Sequence, residues 1–331
     1  MRETNTTDVL IIGAGIAGLL CATELNKASK SVRILEKGRG PGGRMATRRM
    51  GKARLDHGAQ FFTVRSPSFQ RYVDEWLKAG VIREWFRHAP HDTNNSGYSR
   101  YCGVSGISDA PKYLSKDLDL RCTETVTSLA YDGSLWTVAT ASGASFRARY
   151  LVLTAPLPQA LALLDATGLN YAGAELDRLR AVCYDRGLAT LAILDGPSGL
   201  PESGFLRCEQ GPLTWIADNH AKGISPHEHA ITLHANAVFA DQHWDSPDSL
   251  RGSLMLKAAA HHLKANVREY NCHRWGFCFS ENPYPDLCFS NFESNLLLAG
   301  DSFGGPRVEG AALSGLAASS KLLETISARD S

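Results

Sequence analysis

The sequence predicts an α/β protein that combines a Rossmann-like nucleotide-binding domain with a second domain of mixed-sheet α+β structure. An apolar strand at residues 8–12 leads into a glycine-rich turn at 13–18. Near the other end, a buried strand at 296–299 leads into Gly300 and Asp301. Between them, residues 165–286 carry several strand-like stretches and one amphipathic helix. A chain of 331 residues is long enough for two packed units.

The glycine-rich turn has the pattern G-x-G-x-x-G and is followed by helical periodicity, a second strand at 32–35 and then Glu36. Gly13 permits the turn, Gly15 lets backbone approach a pyrophosphate, and Gly18 lets the helix pack on the strand. The helix N-terminus offers N–H groups to phosphates. Glu36 is placed to accept hydrogen bonds from a ribose diol, and its charge disfavours the 2′-phosphate of NADP. The predicted cofactor contacts in this turn are Gly13, Ala14, Gly15, Ile16, Ala17 and Gly18.

A second glycine pair indicates which dinucleotide is bound. Gly42, Gly43 and Arg44 lie in a basic segment at 39–54 and offer another close backbone approach and a bidentate phosphate contact. A solvated basic loop is the competing interpretation. The pattern from Glu36 and Lys37 to Arg44 resembles the flavin amine-oxidase superfamily, where it contacts the adenosine and diphosphate of FAD. The resemblance therefore favours FAD.

The C-terminal segment is predicted to complete the nucleotide-binding domain. Asp301 follows a strand, where a carboxylate can hold ribityl hydroxyls or bind diphosphate through water. The helix that opens at 307–311 can stabilise negative charge on a reduced flavin. Taken alone, the segment also fits a capped surface helix. The predicted contacts are Gly300, Asp301, Arg307, Val308, Glu309 and Ala311.

The middle of the chain is predicted to hold a hairpin around Asp132 and Gly133, a strand at 150–155 and a helix after Pro67. One face of that helix carries Phe69, Tyr72, Val73, Trp76 and Leu77. Further strands are expected at 183–194, 212–217, 229–237 and 268–275, with a helix near 250–263. The predicted FAD-binding domain comprises 1–65, 98–160 and 287–331, and the predicted substrate domain comprises 66–97 and 161–286.

Segments along nearly the whole chain resemble those of the renalases, which are oxidoreductases of the amine-oxidase superfamily that bind FAD non-covalently. The matching segments are 13–18, 42–45, 55–63, Gly103, Gly106, 215–217 with Asn219, 233–235, 273–275, 300–301 and 307–311. The run D-x-G-A-Q-aromatic at 56–61 and the triplet at 273–275 are the more particular features. The resemblance implies a GR2-type FAD-binding domain with further cofactor contacts at Gln60 and Val126. An S-G-G-C run for covalent flavin attachment is absent from the sequence.

Renalases oxidise 2- or 6-dihydro isomers of NAD(P)H to NAD(P)⁺, and oxygen then reoxidises the flavin to give hydrogen peroxide. A dihydropyridine becomes aromatic when it loses hydride, so the site needs ring walls and polar anchors rather than a base. The resemblance implies Phe61 and Trp275 as walls and His234 as an anchor to carboxamide or ribose. Ordinary core packing is the competing interpretation of all three. Arg274 either pairs with an acid or reaches a substrate phosphate.

Departures from the family pattern concern the substrate pocket. Phe61 stands where the family commonly has tyrosine, and Phe239 where it has tryptophan. Ser105 and Ile107 replace proline and methionine. A true amine oxidase on a small amine is the nearest alternative, and would need two tyrosines facing each other above the flavin. A flavin-binding redox sensor without turnover is the alternative outside catalysis.

Composition excludes several other classes. A formal net charge of +1 is unlike a nucleic-acid binder. The eight cysteines form no C-x-x-C pair, and the histidine pairs at 227/229 and 261/262 lack a third ligand, so no metal site is expected. No apolar run reaches 18 residues, which predicts no membrane span and a cytoplasmic protein. The expected partners are a nicotinamide dinucleotide isomer and molecular oxygen.

Overall fold

The computed structural model describes residues 6–88 and 97–330, which belong to two compact units. Unit 1 comprises Met1–Gly43, Pro111–Cys183 and Ser280–Ser331, and unit 2 comprises Arg44–Ala110 and Tyr184–Phe279.

These bounds differ from the predicted domains. Residues 44–65 and 98–110 lie in unit 2 rather than in the unit that contains the glycine-rich turn, and residues 161–183 and 280–286 lie in unit 1. Packing explains the first difference, because Met50, Ala53 and Leu55 share a core cluster with Leu191 and Ile193 of unit 2.

The strands of the described residues are numbered in chain order. They are β1 (Thr6–Ile12), β2 (Val32–Glu36), β3 (Thr47–Met50), β4 (Ala53–Asp56), β5 (Ile82–Phe86), β6 (Arg100–Gly103), β7 (Asp119–Cys122), β8 (Val126–Tyr131), β9 (Trp136–Thr140), β10 (Ser145–Leu153), β11 (Tyr184–Leu194), β12 (Phe205–Arg207), β13 (Leu213–Asp218), β14 (Ala230–Ala235), β15 (Val267–Ser280), β16 (Phe289–Asn291) and β17 (Leu296–Leu298).

The α-helices of the same residues are numbered likewise. They are α1 (Ile16–Lys27), α2 (Pro67–Lys78), α3 (Asp109–Leu114), α4 (Leu157–Asp165), α5 (Leu176–Arg180), α6 (Ala237–Gln242), α7 (Asp248–Ala259), α8 (Asp301–Gly304) and α9 (Val308–Asp330). No helix in the part of the chain that the structure describes is long and apolar enough to cross a membrane.

Unit 1 is built on an eight-stranded sheet whose main order is β16-β17-β10-β1-β2-β7. Strands β17, β10, β1, β2 and β7 run parallel, and the β8–β9 hairpin joins the edge of β10 in antiparallel pairing. The predicted hairpin around Asp132 and Gly133 is therefore confirmed. Strand β1 is buried from Val9 to Ile12, as expected for an inner strand of a parallel sheet. Parallel strands place their carboxyl ends at one edge, where Gly13 and Glu36 follow β1 and end β2.

Helices α1 and α9 pack against each other in unit 1 with little space between their backbones. Helix α1 is buried from Ile16 to Ala22. A Cβ atom on Gly315 would overlap the carbonyl oxygen of Ala17, so glycine is needed where the two helices meet. The C-terminal helix is thereby fixed against the helix that follows the glycine-rich turn.

Unit 2 contains a five-stranded sheet of order β12-β13-β14-β11-β15, with antiparallel hairpins β3–β4 and β5–β6. One face of the sheet packs on α6 and α7 through a cluster that includes Leu188, Leu233 and Met255. Because strand side chains alternate between faces, His234 of β14 points to the opposite face from Leu233. Cα pairing sets Trp215 of β13 directly across from His234.

Helix α2 begins at Pro67 as predicted and buries Phe69, Tyr72, Val73 and Trp76. Leu77, which was predicted on the same buried face, is instead exposed. It directly follows Trp76, and successive helical residues lie about 100° apart, so the two side chains cannot share one narrow face.

Candidate functional site

The glycine-rich turn of unit 1 is held closed by short contacts with α1, with β2 and with the residue that follows β10. Gly13 has a φ of +110° and its N–H donates to the Leu35 carbonyl at 2.8 Å. The Thr154 hydroxyl donates to the Gly13 carbonyl at 3.0 Å. A Cβ atom on Gly18 would overlap that same carbonyl oxygen. Glycine is therefore needed at position 13 because of its backbone conformation, and at position 18 because there is no room for a side chain.

The outer side of this turn, by contrast, is open. A Cβ atom on Gly15 would meet no atom within 4 Å, apart from its own chain neighbours and helix. Gly15 is the N-terminal cap of α1, so the first turn of the helix, with Ile16 and Ala17, starts at this opening. The N–H of Gly42, which has a φ of +125°, donates to the Ala14 carbonyl at 2.8 Å. Two glycine loops and a helix N-terminus thus border one space of the kind that phosphates occupy.

The Glu36 carboxylate lies beside the same turn and is 9 % exposed. One oxygen accepts from the N–H of Ala14 at 2.8 Å and the other from the N–H of Gly38 at 2.7 Å. A carboxylate oxygen can accept more than one hydrogen bond, so both retain capacity for a ribose hydroxyl. Neighbouring Lys37 is exposed and its ammonium donates to the Gln159 amide oxygen at 3.3 Å.

The C-terminal segment has the predicted strand, turn and helix. Gly300 has a φ of +136°, and its N–H donates to the Ser314 hydroxyl at 2.8 Å. Asp301 is buried and begins α8. Helix α9 begins at Val308, followed by Glu309 and Ala311, while Arg307 is exposed.

Arg44 and Val126, two further predicted cofactor contacts, lie in different units. Arg44 is in unit 2, where its guanidinium donates to the carbonyls of Phe277 at 3.2 Å and Cys278 at 3.3 Å. Val126 is the half-buried first residue of β8 in unit 1, at an irregularity in its pairing with β9. Gly43, in unit 1, has a φ of +55°. A Cβ atom added to Gly43 would lie 3.7 Å from the Cα atom of Gly15.

In unit 2, the segment after β4 forms a tight turn that fixes the Gln60 amide. A Cβ atom on Gly58 would overlap the Arg44 carbonyl oxygen, so the turn has no room for a side chain there. The Gln60 amide nitrogen donates to the carbonyls of Asp56 at 2.7 Å and Gly58 at 3.2 Å. Because carbonyls accept only, these bonds orient the amide, and its oxygen is left buried without a partner. Gln60 therefore offers an acceptor to a bound donor.

The His57 main chain connects two predicted substrate residues, His234 and Trp275. Its carbonyl accepts from the Trp275 indole N–H at 2.8 Å and is also hydrogen-bonded to the His234 ring. The His57 imidazole stacks on the Trp275 indole with ring centroids 5.3 Å apart, and His273 packs edge-on against both. The Gln60 amide nitrogen lies 3.5 Å from the His234 Nε2 atom.

Two imidazoles of this cluster, those of His57 and His234, are uncharged at neutral pH. Burial, with smaller effects from His273, Arg48 and His234, lowers the pKa of His57 to about 3. Burial also lowers the pKa of His234 to about 4, and the hydrogen bond to the His57 carbonyl acts in the opposite direction. The cluster therefore presents aromatic surface and neutral hydrogen-bonding groups.

Phe61 lies in a different ring cluster from Trp275. Its ring packs against Trp85, Phe86 and Trp215 with centroids 6.3, 6.0 and 5.6 Å away. The predicted pair of walls therefore consists of two separate aromatic groups. Trp215 belongs to the ring cluster of Phe61 and is also the residue of β13 that pairs with His234 of β14.

Arg274, whose partner the sequence left open, lies on the other face of β15 from Trp275. Its guanidinium donates to the Trp244 carbonyl at 3.2 Å and lies over the Trp244 ring at 5.3 Å. The side chains of Arg274 and Trp275 must point in opposite directions because they are consecutive in a strand.

Of three further residues near these groups, Thr154 and Lys222 carry no recognisable sequence signal. Thr154 closes the glycine-rich turn, and Lys222 forms a buried ion pair with Asp56 at 2.7 Å. Only the position of Asp56 in the run at 56–61 pointed to it. Within residues 6–88 and 97–330, no group of three metal-binding side chains is close enough to hold an ion.

Comparison with known proteins gives two family matches. Residues 11–76 match the NAD(P)-binding Rossmann-like domain, and residues 79–323 match the flavin containing amine oxidoreductases. The chain is 24% identical to renalase of Mus musculus over 317 residues, which cover 89% of this chain and 92% of that protein. It is 31% identical to an acetone monooxygenase (methyl acetate-forming) of Gordonia sp. over 166 residues, only 27% of that protein.

A solved structure of a triple mutant of putrescine oxidase has the same fold. It superposes with a TM-score of 0.70 at 13% identity and covers 97% of this chain and 99% of that one.

Proposed function

This chain belongs to the family of flavin containing amine oxidoreductases, and from that premise we propose that it oxidises isomeric dihydro-NAD(P). It is a renalase-like, flavin-dependent oxidoreductase with FAD as its cofactor. The proposed substrates are the 2- or 6-dihydro forms, which lose hydride to give NAD(P)⁺. In the overall reaction, dihydro-NAD(P), a proton and O₂ give NAD(P)⁺ and hydrogen peroxide.

The residues of unit 1 fit the nucleotide part of FAD. The open space in front of Gly15 would be reduced by any side chain at that position, so it suits a ligand that needs close backbone approach. We assign the diphosphate to the turns around Gly15 and Gly43 and the ribose hydroxyls to Glu36. We assign Asp301 to the ribityl chain. Since the sequence has no S-G-G-C run, we propose that FAD is held without a covalent bond.

In unit 2, we assign the unpartnered Gln60 oxygen to a donor of the bound cofactor or substrate. His234 is assigned as the polar anchor of the nicotinamide part, and Trp275 and Phe61 as ring walls. FAD, when bound, supplies the ring that accepts two electrons. The chain itself must orient the dihydropyridine and exclude water.

The observation that carries this proposal is that the His57 carbonyl binds both the Trp275 indole and the His234 ring, which sets an aromatic surface beside a polar group. Burial lowers the pKa of His57 to about 3 and that of His234 to about 4, so neither imidazole suits the role of a base at neutral pH. Oxidation of a dihydropyridine needs no base, because the product ring becomes aromatic as hydride leaves. A neutral aromatic site also avoids repelling the positive charge that develops on the nicotinamide. Against the amine-oxidase alternative, Phe61 and Trp275 belong to separate ring clusters rather than to one facing pair.

Anaerobic rapid mixing tests the proposal. The purified FAD-loaded protein is mixed with 2-, 4- and 6-dihydronicotinamide dinucleotides and with putrescine, and flavin absorbance is followed. We expect rapid bleaching by the 2- or 6-dihydro isomer, and stoichiometric hydrogen peroxide when oxygen is admitted. Bleaching by putrescine alone would replace the proposal with amine oxidation, and no bleaching on the turnover timescale would replace it with a redox sensor.

A further inference from the structure

Lys222 is a lysine of unit 2 whose side chain is fully buried. Its ammonium donates to the Asp56 carboxylate at 2.7 Å and to the Gln60 main-chain carbonyl at 2.5 Å. It also lies 4.6 Å from the centroid of the Trp85 ring. The Arg83 guanidinium donates to the Lys222 carbonyl. The ammonium group is thus surrounded by two hydrogen-bond acceptors and an aromatic ring, and it has no contact with solvent.

Asp56 is also fully buried, and its carboxylate and its main-chain carbonyl both accept hydrogen bonds. Its other carboxylate oxygen accepts from the Thr47 hydroxyl at 2.6 Å and from the Ile107 N–H at 2.9 Å. Its carbonyl accepts from Gln60 and from the Thr232 hydroxyl. Lys222 therefore joins the first and last residues of the segment 56–60, which also contains the His57 carbonyl that binds His234 and Trp275.

Stability alone does not explain a charged pair at this place. Removing two charges from water costs free energy that their attraction often fails to return, and apolar replacements of similar volume are frequently as stable. A neutral donor could close the same turn. The ammonium differs in holding a carboxylate and a carbonyl at once with short bonds, which restricts the position of both ends of the segment.

We propose that Lys222 is a positioning residue for the reaction. Through Asp56 and the Gln60 carbonyl it fixes segment 56–60, and with it the orientation of the Gln60 amide oxygen and of the His57 carbonyl toward His234 and Trp275. The inference rests on the proposed function, in that Gln60, His234 and Trp275 are its site residues.

Two variants that differ only at Lys222 test this positioning role. Asp56→Asn keeps an oxygen for Thr47 and Ile107 and leaves the ammonium bonded to Gln60. Lys222→Met/Asp56→Asn removes that last bond without leaving an unpaired buried charge. Lys257→Met makes the same lysine substitution on the exposed side of α7 and serves as the matched control.

We measure melting temperature, the dissociation constant of FAD by flavin fluorescence, and the anaerobic flavin reduction rate as a function of substrate concentration. Asp56→Asn alone leaves the buried ammonium without its carboxylate and should melt at a lower temperature than the double variant, so both are assayed below the melting temperature of the less stable one. Relative to Asp56→Asn, the double variant should bind FAD about fivefold more weakly, the effect of one hydrogen bond. Its limiting reduction rate should fall about 100-fold, as for a misplacement of about 1 Å. The half-saturating substrate concentration should change little.

Equal FAD affinity and equal limiting rates in the two Asp56 variants would overturn the positioning role. An equal loss in Lys257→Met would do the same. Should the double variant not fold, Lys222→Gln, which keeps one donor, is compared with the unsubstituted protein by the same criteria. If no dihydropyridine reduces the flavin of the parent, the proposed function fails, whereas the FAD dissociation constants still report on Lys222.

Discussion

The Trp275 indole donates a 2.8 Å hydrogen bond to the main-chain carbonyl of His57, and the His57 imidazole stacks on the same indole. The two residues are 218 positions apart in the chain. The same carbonyl is hydrogen-bonded to His234. A single carbonyl oxygen therefore binds both the proposed aromatic wall and the proposed polar anchor, so we expect a change in either partner to affect the reaction.

Replacing Trp275 with phenylalanine is expected to slow flavin reduction about fivefold, because the ring stays apolar but the hydrogen bond to His57 is lost. FAD should remain bound, since the proposed contacts of Gly15, Gly43 and Glu36 with its diphosphate and ribose belong to unit 1. Stopped-flow reduction and flavin absorbance after gel filtration measure the two effects. Trp244→Phe, on the helix-facing side of the sheet, is the control and should reduce at the parent rate. An unaltered rate in Trp275→Phe would remove Trp275 from the site.

The low pKa of His57 predicts that the protein loses stability as pH falls. The unfolded chain binds a proton near the ordinary value of 6.5, whereas the folded chain does so only near a pKa of about 3. Between these values the unfolded state holds more protons, so the free energy of unfolding decreases toward acid. Each pH unit below 6.5 lowers the free energy of unfolding by about 1.4 kcal/mol through this group, so the decrease at pH 5 is about 2 kcal/mol.

Urea unfolding at pH 7.5 and pH 5 measures this effect in the parent and in His57→Phe. The variant keeps a ring against Trp275 but has no group to protonate at this position. Between pH 7.5 and pH 5, the free energy of unfolding of the parent should therefore fall by about 2 kcal/mol more than that of the variant. Identical losses in the two proteins would show that His57 is not held neutral by the fold.

Glu36→Gln is expected to weaken FAD binding about tenfold, because hydrogen bonds to a carboxylate are stronger than those to a neutral amide. The amide keeps one oxygen for the N–H of Ala14 or Gly38 and leaves the other N–H without an acceptor, so the melting temperature of the FAD-free protein should fall by a few degrees. Fluorescence titration with FAD gives the affinity. Asp119→Asn, on the neighbouring strand β7, controls for the loss of a surface charge and should bind FAD like the parent.

The nucleotide-binding turns could be predicted from sequence because their signals are local. Gly13, Gly42 and Gly300 all have positive φ, a conformation in which glycine is favoured over other residues, so the sequence marks the turns directly. The order strand, turn, helix, strand and acid then fixes a parallel sheet with few alternatives. The family resemblance agrees with the family that the comparisons found.

The proposed substrate part of the site was less predictable because its contacts join distant segments. Nothing near Lys222 in the sequence shows that it pairs with Asp56, 166 residues away. Arg274 and Trp275 are adjacent in sequence, and only the alternation of β15 separates their environments. The hairpin β3–β4 lies within residues 1–65, the first part of the predicted FAD-binding domain, whereas its apolar residues pack in unit 2.

Two alanine substitutions in the glycine-rich turn should separate folding from cofactor binding. A methyl group on Gly18 would overlap the Gly13 carbonyl oxygen, so Gly18→Ala should lower the melting temperature of the FAD-free protein by several degrees. On Gly15 the methyl group meets nothing within 4 Å, so Gly15→Ala should fold normally and bind FAD at least about tenfold more weakly, because the methyl group narrows the proposed diphosphate space. Gly40→Ala, at another open position, is the control for both measurements. Normal FAD affinity in Gly15→Ala would place the diphosphate elsewhere.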